Sequence, residues 1–101
     1  MSAYVIGDIN VTDPETFAKY ASLVPASSGP FGCKYLVRGP DKCEPVEGDW
    51  NPKRFVLAEY KDVDTIKAWY YSEEYKELTK LRQSASTGSL LVANGVELSE
   101  L

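Results

Sequence analysis

The sequence predicts an α+β domain of the ferredoxin-like kind, a βαββαβ unit whose antiparallel sheet carries both helices on one face. Three observations predict it. Four β-rich segments alternate with helical segments in the order β-α-β-β-α-β, with an extra extended stretch after the second strand. At 101 residues and 11.2 kDa the chain suits a single domain over residues 1–101 with one core. The strands also carry apolar residues on both of their sides, which asks for cover on both faces of the sheet.

Each element follows from its residues. Ala3 to Val11, AYVIGDINV, is β-rich and stops at the turn-forming TDP. Thr12 suits an N-cap, Pro14 the first turn, and Glu15 completes a capping box. Phe17, Tyr20, Ala21 and Val24 then fall on one helical face, so a helix is expected from about Pro14 to Val24. Pro25 and ASSGPFG are expected to end it irregularly, because proline lacks a donor and glycine opens the backbone.

Cys33 to Gly39, CKYLVRG, reads as the second strand, Gly39-Pro40-Asp41 as a turn, and Lys42 to Glu47 as a short extended stretch. Trp50 sits in a loop from Gly48 to Pro52, where so large an aromatic must cover something. Lys53 to Lys61 is the third strand. Asp62 and Asp64 offer N-cap carboxylates to a helix carrying Val63, Ile66, Trp69 and Tyr70. Ser72 caps a restart, Tyr75, Leu78, Leu81 and Ala85 form its stripe, and GSLLVANGV closes the sheet.

Strand residues alternate sides. Val5, Gly7 and Ile9 oppose Tyr4 and Ile6; Val56 and Ala58 oppose Phe55 and Leu57; Leu90 and Val92 oppose Leu91 and Ala93. Two short helices cover one face, so a second copy of the chain is the expected cover for the other. Such a homodimer would remove on the order of 1,600 Å² from water in total.

Composition removes whole mechanisms. The chain has no histidine, hence no neutral-pH proton shuttle of the usual kind and none of the commonest metal ligand. Cys33 and Cys43 are too few for a zinc cage and too far apart for a CxxC pair, so they read as ordinary thiols in a reducing compartment. No cofactor and no metal is expected. The net charge of −4 comes without a Lys/Arg cluster, which sets nucleic acid aside apart from single-stranded RNA on an open sheet. No run suits a membrane span and the opening residues lack signal-peptide order, so a cytoplasmic location is the default.

The strings YVIGDINVTDPETFAKYASLVP, GCKYLVRG, FVLAEYKDVDTIKAWYYSEEYKELTKLR and LLVANGV resemble the family known as domain of unknown function 1330 (DUF1330), over Tyr4 to Val96. That resemblance implies a dimeric α/β barrel in which two ferredoxin-like sheets face each other around a pocket, and it implies no particular reaction. The chain departs from the family's pattern in AWYYSEEY, where Tyr71 stands in place of the more usual Asn or His. A phenol titrating near pH 10 replaces a better donor or base there.

Charges that interrupt apolar strands are the candidate site. Asp8 shares parity with Tyr4 and Ile6, and Glu59 with Phe55 and Leu57, which in a dimeric barrel suggests the pocket side. Either carboxylate is a candidate catalytic base of raised pKa, with Arg38 as a clamp for an anionic oxygen. The alternative is a structural ion-pair network among the three, or charges at strand ends reaching water. Arg82, at the edge of the last helix's stripe, is a candidate pocket arginine or a helix-end charge with its stem packed on apolar surface. Tyr71 is a candidate ligand contact, whereas Trp69 is assigned to packing. Asp8 and Arg82 are expected in or beside one pocket.

These residues suggest a small-molecule-binding homodimer that takes a small organic acid or aromatic metabolite, with cofactor-free acid/base chemistry. The alternative is a non-catalytic binding or structural dimer. A haem role would require tyrosine or cysteine as ligand.

Overall fold

A computed structural model describes residues 1–101. Its elements are β1 (Ala3–Val11), α1 (Pro14–Ser28), β2 (Lys34–Pro40), β3 (Arg54–Tyr60), α2 (Val63–Tyr70), α3 (Glu73–Ala85) and β4 (Ser86–Asn94). Short 3₁₀ turns follow α1 and β4. The four strands form one antiparallel sheet in the order β2-β3-β1-β4, the ferredoxin-like arrangement. The Cα framework measures 45 × 37 × 16 Å, the thickness of one sheet and one helical layer.

The helices bury one parity of the two central strands, β1 and β3. Ala3 and Val5 of β1 and Ala58 and Tyr60 of β3 are buried beneath Val24, Ile66, Trp69, Tyr75 and Leu78, while Ile9 is buried with Phe17 and Ala85 in a second cluster. Trp69 stacks on Tyr75 with centroids 4.1 Å apart and donates its indole N–H to Ser27 Oγ at 3.2 Å, so the ring is packed and its one polar atom is satisfied.

Local signals place most helix ends. Asp62 Oδ1 accepts from Thr65 N at 2.8 Å to cap α2, and Ser72 Oγ accepts from Tyr75 N at 3.3 Å to cap α3. At α1 the cap is Asp13 rather than Thr12: its carboxylate takes Thr16 N at 3.3 Å and Thr16 Oγ1 at 2.7 Å. Asp13 directly precedes Pro14 at the first helical position, and a carboxylate there also meets the positive end of the helix dipole.

Two further expectations are corrected. The stretch Lys42 to Glu47 forms no strand and belongs to the connection between β2 and β3. Pro25 does not end α1, which continues to Ser28. The carbonyl that Pro25 leaves without its helical donor is that of Ala21, four residues back, and Arg38 Nη2 donates to it from β2.

A bulge in β2 determines where Arg38 points. The register pairs Tyr35 with Ala58 and Arg38 with Val56, and both partners face the helices. Strict alternation would send residues three apart to opposite sides; the irregularity between Tyr35 and Val37 absorbs one residue and returns both to the helical face. The guanidinium of Arg38 lies 4.8 Å from the Tyr35 ring centroid.

Candidate functional site

Between the sheet and the helices α1 and α3 lies a cavity of about 50 Å³, counted as space open to the centre of a water molecule. Three arginines reach it, each from a different element: Arg38 from β2, Arg54 from β3 and Arg82 from α3. No aspartate or glutamate lines it.

Arg82 is the deepest of the three. Tyr75, Leu78, Arg82 and Ala85 are the buried residues of α3, so the arginine occupies the middle of the stripe rather than its edge. Its residue is 8% exposed and Nε has no hydrogen-bond partner. A buried guanidinium N–H without an acceptor is costly in a folded protein, on the order of 1–3 kcal/mol. The chain's ion pairs, Lys76–Glu73 and Lys80–Glu77, both lie on exposed stretches of α3 and involve no arginine.

The other two arginines hold to α1. Arg54 places its guanidinium 4.8 Å from the Phe17 ring centroid, while Arg38 binds the Ala21 carbonyl one helical turn further along. Burial, and secondarily the charge of Arg38, hold the Arg54 pKa below its usual range. Guanidiniums stay protonated in proteins at neutral pH even so, and the cavity is cationic.

Tyrosines complete the wall. Tyr20 Oη and Tyr75 Oη lie 2.7 Å apart. One hydroxyl must donate to the other, which leaves one phenolic hydrogen free to point elsewhere. Burial pushes the pKa of Tyr20 up, with Tyr75 adding to the effect and nearby Arg82 opposing it. Tyr60 and Tyr35 are also raised, again mainly by burial. The walls therefore offer hydrogen-bond donors and positive charge, with no side chain that takes up a proton at neutral pH.

The sequence-predicted residues divide between two faces. Arg38 and Arg82 meet in the cavity. Asp8 and Glu59 project from the opposite, open face of the sheet, so Asp8 and Arg82 share no pocket and neither carboxylate lines the cavity. Parity assigns them correctly to the side of Tyr4, Ile6, Phe55 and Leu57, but that side faces away from the helices. Asp8 Oδ2 accepts from Trp50 Nε1 at 2.8 Å, and Glu59 Oε2 accepts from Tyr4 Oη at 3.3 Å. The alternative of an ion-pair network among Asp8, Arg38 and Glu59 does not form, because Arg38 is on the other face. Trp50 packs edge-on to Phe55 at 6.2 Å, covering one end of the open face.

Tyr71 is 65% exposed and borders a separate apolar groove between α2 and β4, with Ile66, Leu91 and Val92. Arg54 and Tyr20 are not among the expected site residues, and Tyr75, one of the aromatics that could line a site for a flat ligand, reads more readily as core. Arg54 shares parity with Val56 and Ala58, a signal present in the sequence, while the two tyrosines lie within stripes that read as core. No three Cys, Asp or Glu side chains group to hold a metal ion, and no helix is long and apolar enough to cross a membrane.

Comparison with known proteins bears on the fold. A family model described as "Domain of unknown function (DUF1330)" matches residues 2–96. Comparison with curated protein sequences gives no match. Among solved structures, RPA0582, a protein of unknown function from Rhodopseudomonas palustris, is 17% identical with a TM-score of 0.76, covering 95% of this chain and 83% of that one. SnoaB, a cofactor-independent oxygenase from Streptomyces nogalater, is 10% identical with a TM-score of 0.66 over 95% and 94% of the two chains. A conserved protein from Methanosarcina mazei is 17% identical with a TM-score of 0.64, again over 95% and 94%. At these identities the likeness is one of fold.

Proposed function

The chain belongs to the domain of unknown function 1330 family, and from that premise we propose that it is a homodimer whose subunits each bind a small organic acid in the arginine cavity. One observation carries the reading: Arg82 is buried with an unpartnered Nε in a cavity that gathers two further arginines and no carboxylate. A ligand carboxylate supplies the acceptor that the protein withholds, and the planar guanidinium suits it in a two-pronged bond.

The dimer is supported by the open face. Register aligns Val37, Leu57, Ile6 and Leu91 in one apolar row across all four strands. Leu91 is exposed, and a standard interface would bury about 800 Å² on each subunit, the scale of a sheet face. A cytoplasmic location belongs to the same reading and is supported by the free thiols Cys33 and Cys43.

The acid/base part narrows to hydrogen-bond donation. Tyr20 and Tyr75 hold one phenolic hydrogen not needed between them, suited to donating to a developing oxyanion; burial makes Tyr20 hold its proton more tightly, and no wall residue suits abstraction at neutral pH. The oxygenase of like fold, described as cofactor-independent, supports chemistry without a cofactor on this scaffold. A purely binding role stands as the second reading, favoured by the missing base.

A thermal-shift series with acetate, propionate and benzoate against the matching amides tests the proposal. A bound acid at a hundred times its dissociation constant adds about 2.7 kcal/mol of stability. The gain is expected for acids, not amides, and is expected to vanish in Arg82→Met. Equal responses to acid and amide, or none to any acid, overturn it.

A further inference from the structure

We infer that the ligand of the arginine cavity is a short dicarboxylate, two carboxylates joined by one or two methylenes. The inference rests on the small-acid reading above and names its substrate class.

Charge is the first ground. Three guanidiniums line the cavity and no internal carboxylate offsets any of them. A monocarboxylate leaves two of those charges uncompensated in a partly dry site, where like charges repel more strongly than in water. Arg54 already feels this: burial, and after it the charge of Arg38, disfavour its charged form. A dianion leaves one charge uncompensated instead of two and lowers the repulsion further.

Placement is the second. Arg38 and Arg54 rise from the sheet wall on adjacent strands, whereas Arg82 descends from α3 on the helical wall. Arg54 and Arg38 meet α1 at Phe17 and Ala21. Two cationic stations on different walls suit two acid groups better than one.

The remaining surface is the third. Most of the lining is hydrophobic, including Val5, Val56, Ala58 and Leu90, and a carbon spacer uses such walls whereas a phosphate ion does not. The space of about 50 Å³ restricts the ligand to a short chain and excludes fused ring systems.

Isothermal titration calorimetry of the full chain with malonate, succinate, propionate, inorganic phosphate and malonamide decides the matter. Malonate or succinate is expected to bind at least about tenfold more tightly than propionate, malonamide not at all. Arg82→Gln and Arg54→Gln are each expected to reduce the dicarboxylate advantage to less than about threefold, in proteins whose circular dichroism matches the parent. Propionate binding as tightly as the dicarboxylates overturns the dicarboxylate assignment and leaves the small-acid reading standing. Phosphate binding more tightly than either dicarboxylate overturns it in favour of a single compact anion. Failure of every acid, or equal binding of malonamide, removes the parent reading as well.

Discussion

Pro25 and Arg38 are joined through a single carbonyl: the proline deprives Ala21 O of its helical N–H, and the arginine, from β2 on the facing sheet, donates to it instead. The pair ties the interior of α1 to the second strand and fixes one wall of the cavity.

That relationship sets a double-mutant cycle. Arg38→Met in the parent leaves the Ala21 carbonyl unpaired and is expected to cost about 1–2 kcal/mol. In the Pro25→Ala background the restored N–H serves the carbonyl, and the same change is expected to cost less. Urea unfolding of the four proteins measures the coupling. Additivity within about 0.5 kcal/mol would show the two sites to be independent.

Arg82→Met is expected to raise stability, on the order of 1 kcal/mol, because it removes a buried cation that no carboxylate balances. A buried structural ion pair would behave oppositely, losing about 3–5 kcal/mol when one partner is removed. Chemical denaturation separates the two signs.

Gly88 and Gly29 are expected to respond in opposite directions to alanine. Gly88 has φ +135°, and an added Cβ would collide with the Asp8 carbonyl oxygen. The backbone region alone costs about 1–3 kcal/mol, before any movement of β1. Gly29 has φ −53°, and the place its added methyl would take has nothing within 4 Å, so it is expected to gain about 0.4–1 kcal/mol as alanine. Thermal unfolding of Gly88→Ala and Gly29→Ala tests the contrast, and a stable Gly88→Ala would contradict the register of β1 with β4.

Alkali is expected to unfold the protein through its buried phenols. Tyr20 and Tyr60 have pKa values raised by burial, so above about pH 10 the unfolded chain releases protons that the folded one retains. Stability therefore holds below the unfolded pKa and falls as pH rises beyond it, by up to about 1.4 kcal/mol per pH unit for each phenol. Urea midpoints at pH 8, 10 and 11 check the sign; a flat profile across that range would disprove it.

Ile6→Asp places a charge in the centre of the row formed by Val37, Leu57 and Leu91. Sedimentation is expected to give a dimer for the parent and a monomer for the variant at micromolar concentration. A parent that sediments as a monomer defeats the dimer proposal outright.

Much of the fold was legible in local patterns. The order of strands and helices, the caps at Asp62 and Ser72, and the stripe through Tyr75, Leu78 and Ala85, in which Arg82 rather than the expected Leu81 is buried, rest on neighbours within a few residues. So does the two-sided apolar alternation of β1, β3 and β4, and the absence of histidine narrows the chemistry before any folding is considered. At α1 the spacing to Glu15 pointed to Thr12, whereas the cap is its neighbour Asp13.

The site depended on long-range pairing. Alternation tells which strand residues share a side, but not which side the helices will cover, and so Asp8 and Glu59 group rightly with their apolar neighbours yet lie away from the cavity. The bulge at Leu36 breaks the period of two and brings Arg38 round beside Tyr35, a shift that no pattern within β2 announces. Pro25 reads locally as a helix end; in the fold it lies inside α1, and the guanidinium of Arg38 from β2 meets the carbonyl it orphans. The amino-acid order alone determined the elements and their amphipathic faces, since those follow from spacing along the chain. Only the tertiary structure decided that Arg38, Arg54 and Arg82 converge, because their meeting depends on register, bulge and packing between segments far apart in sequence.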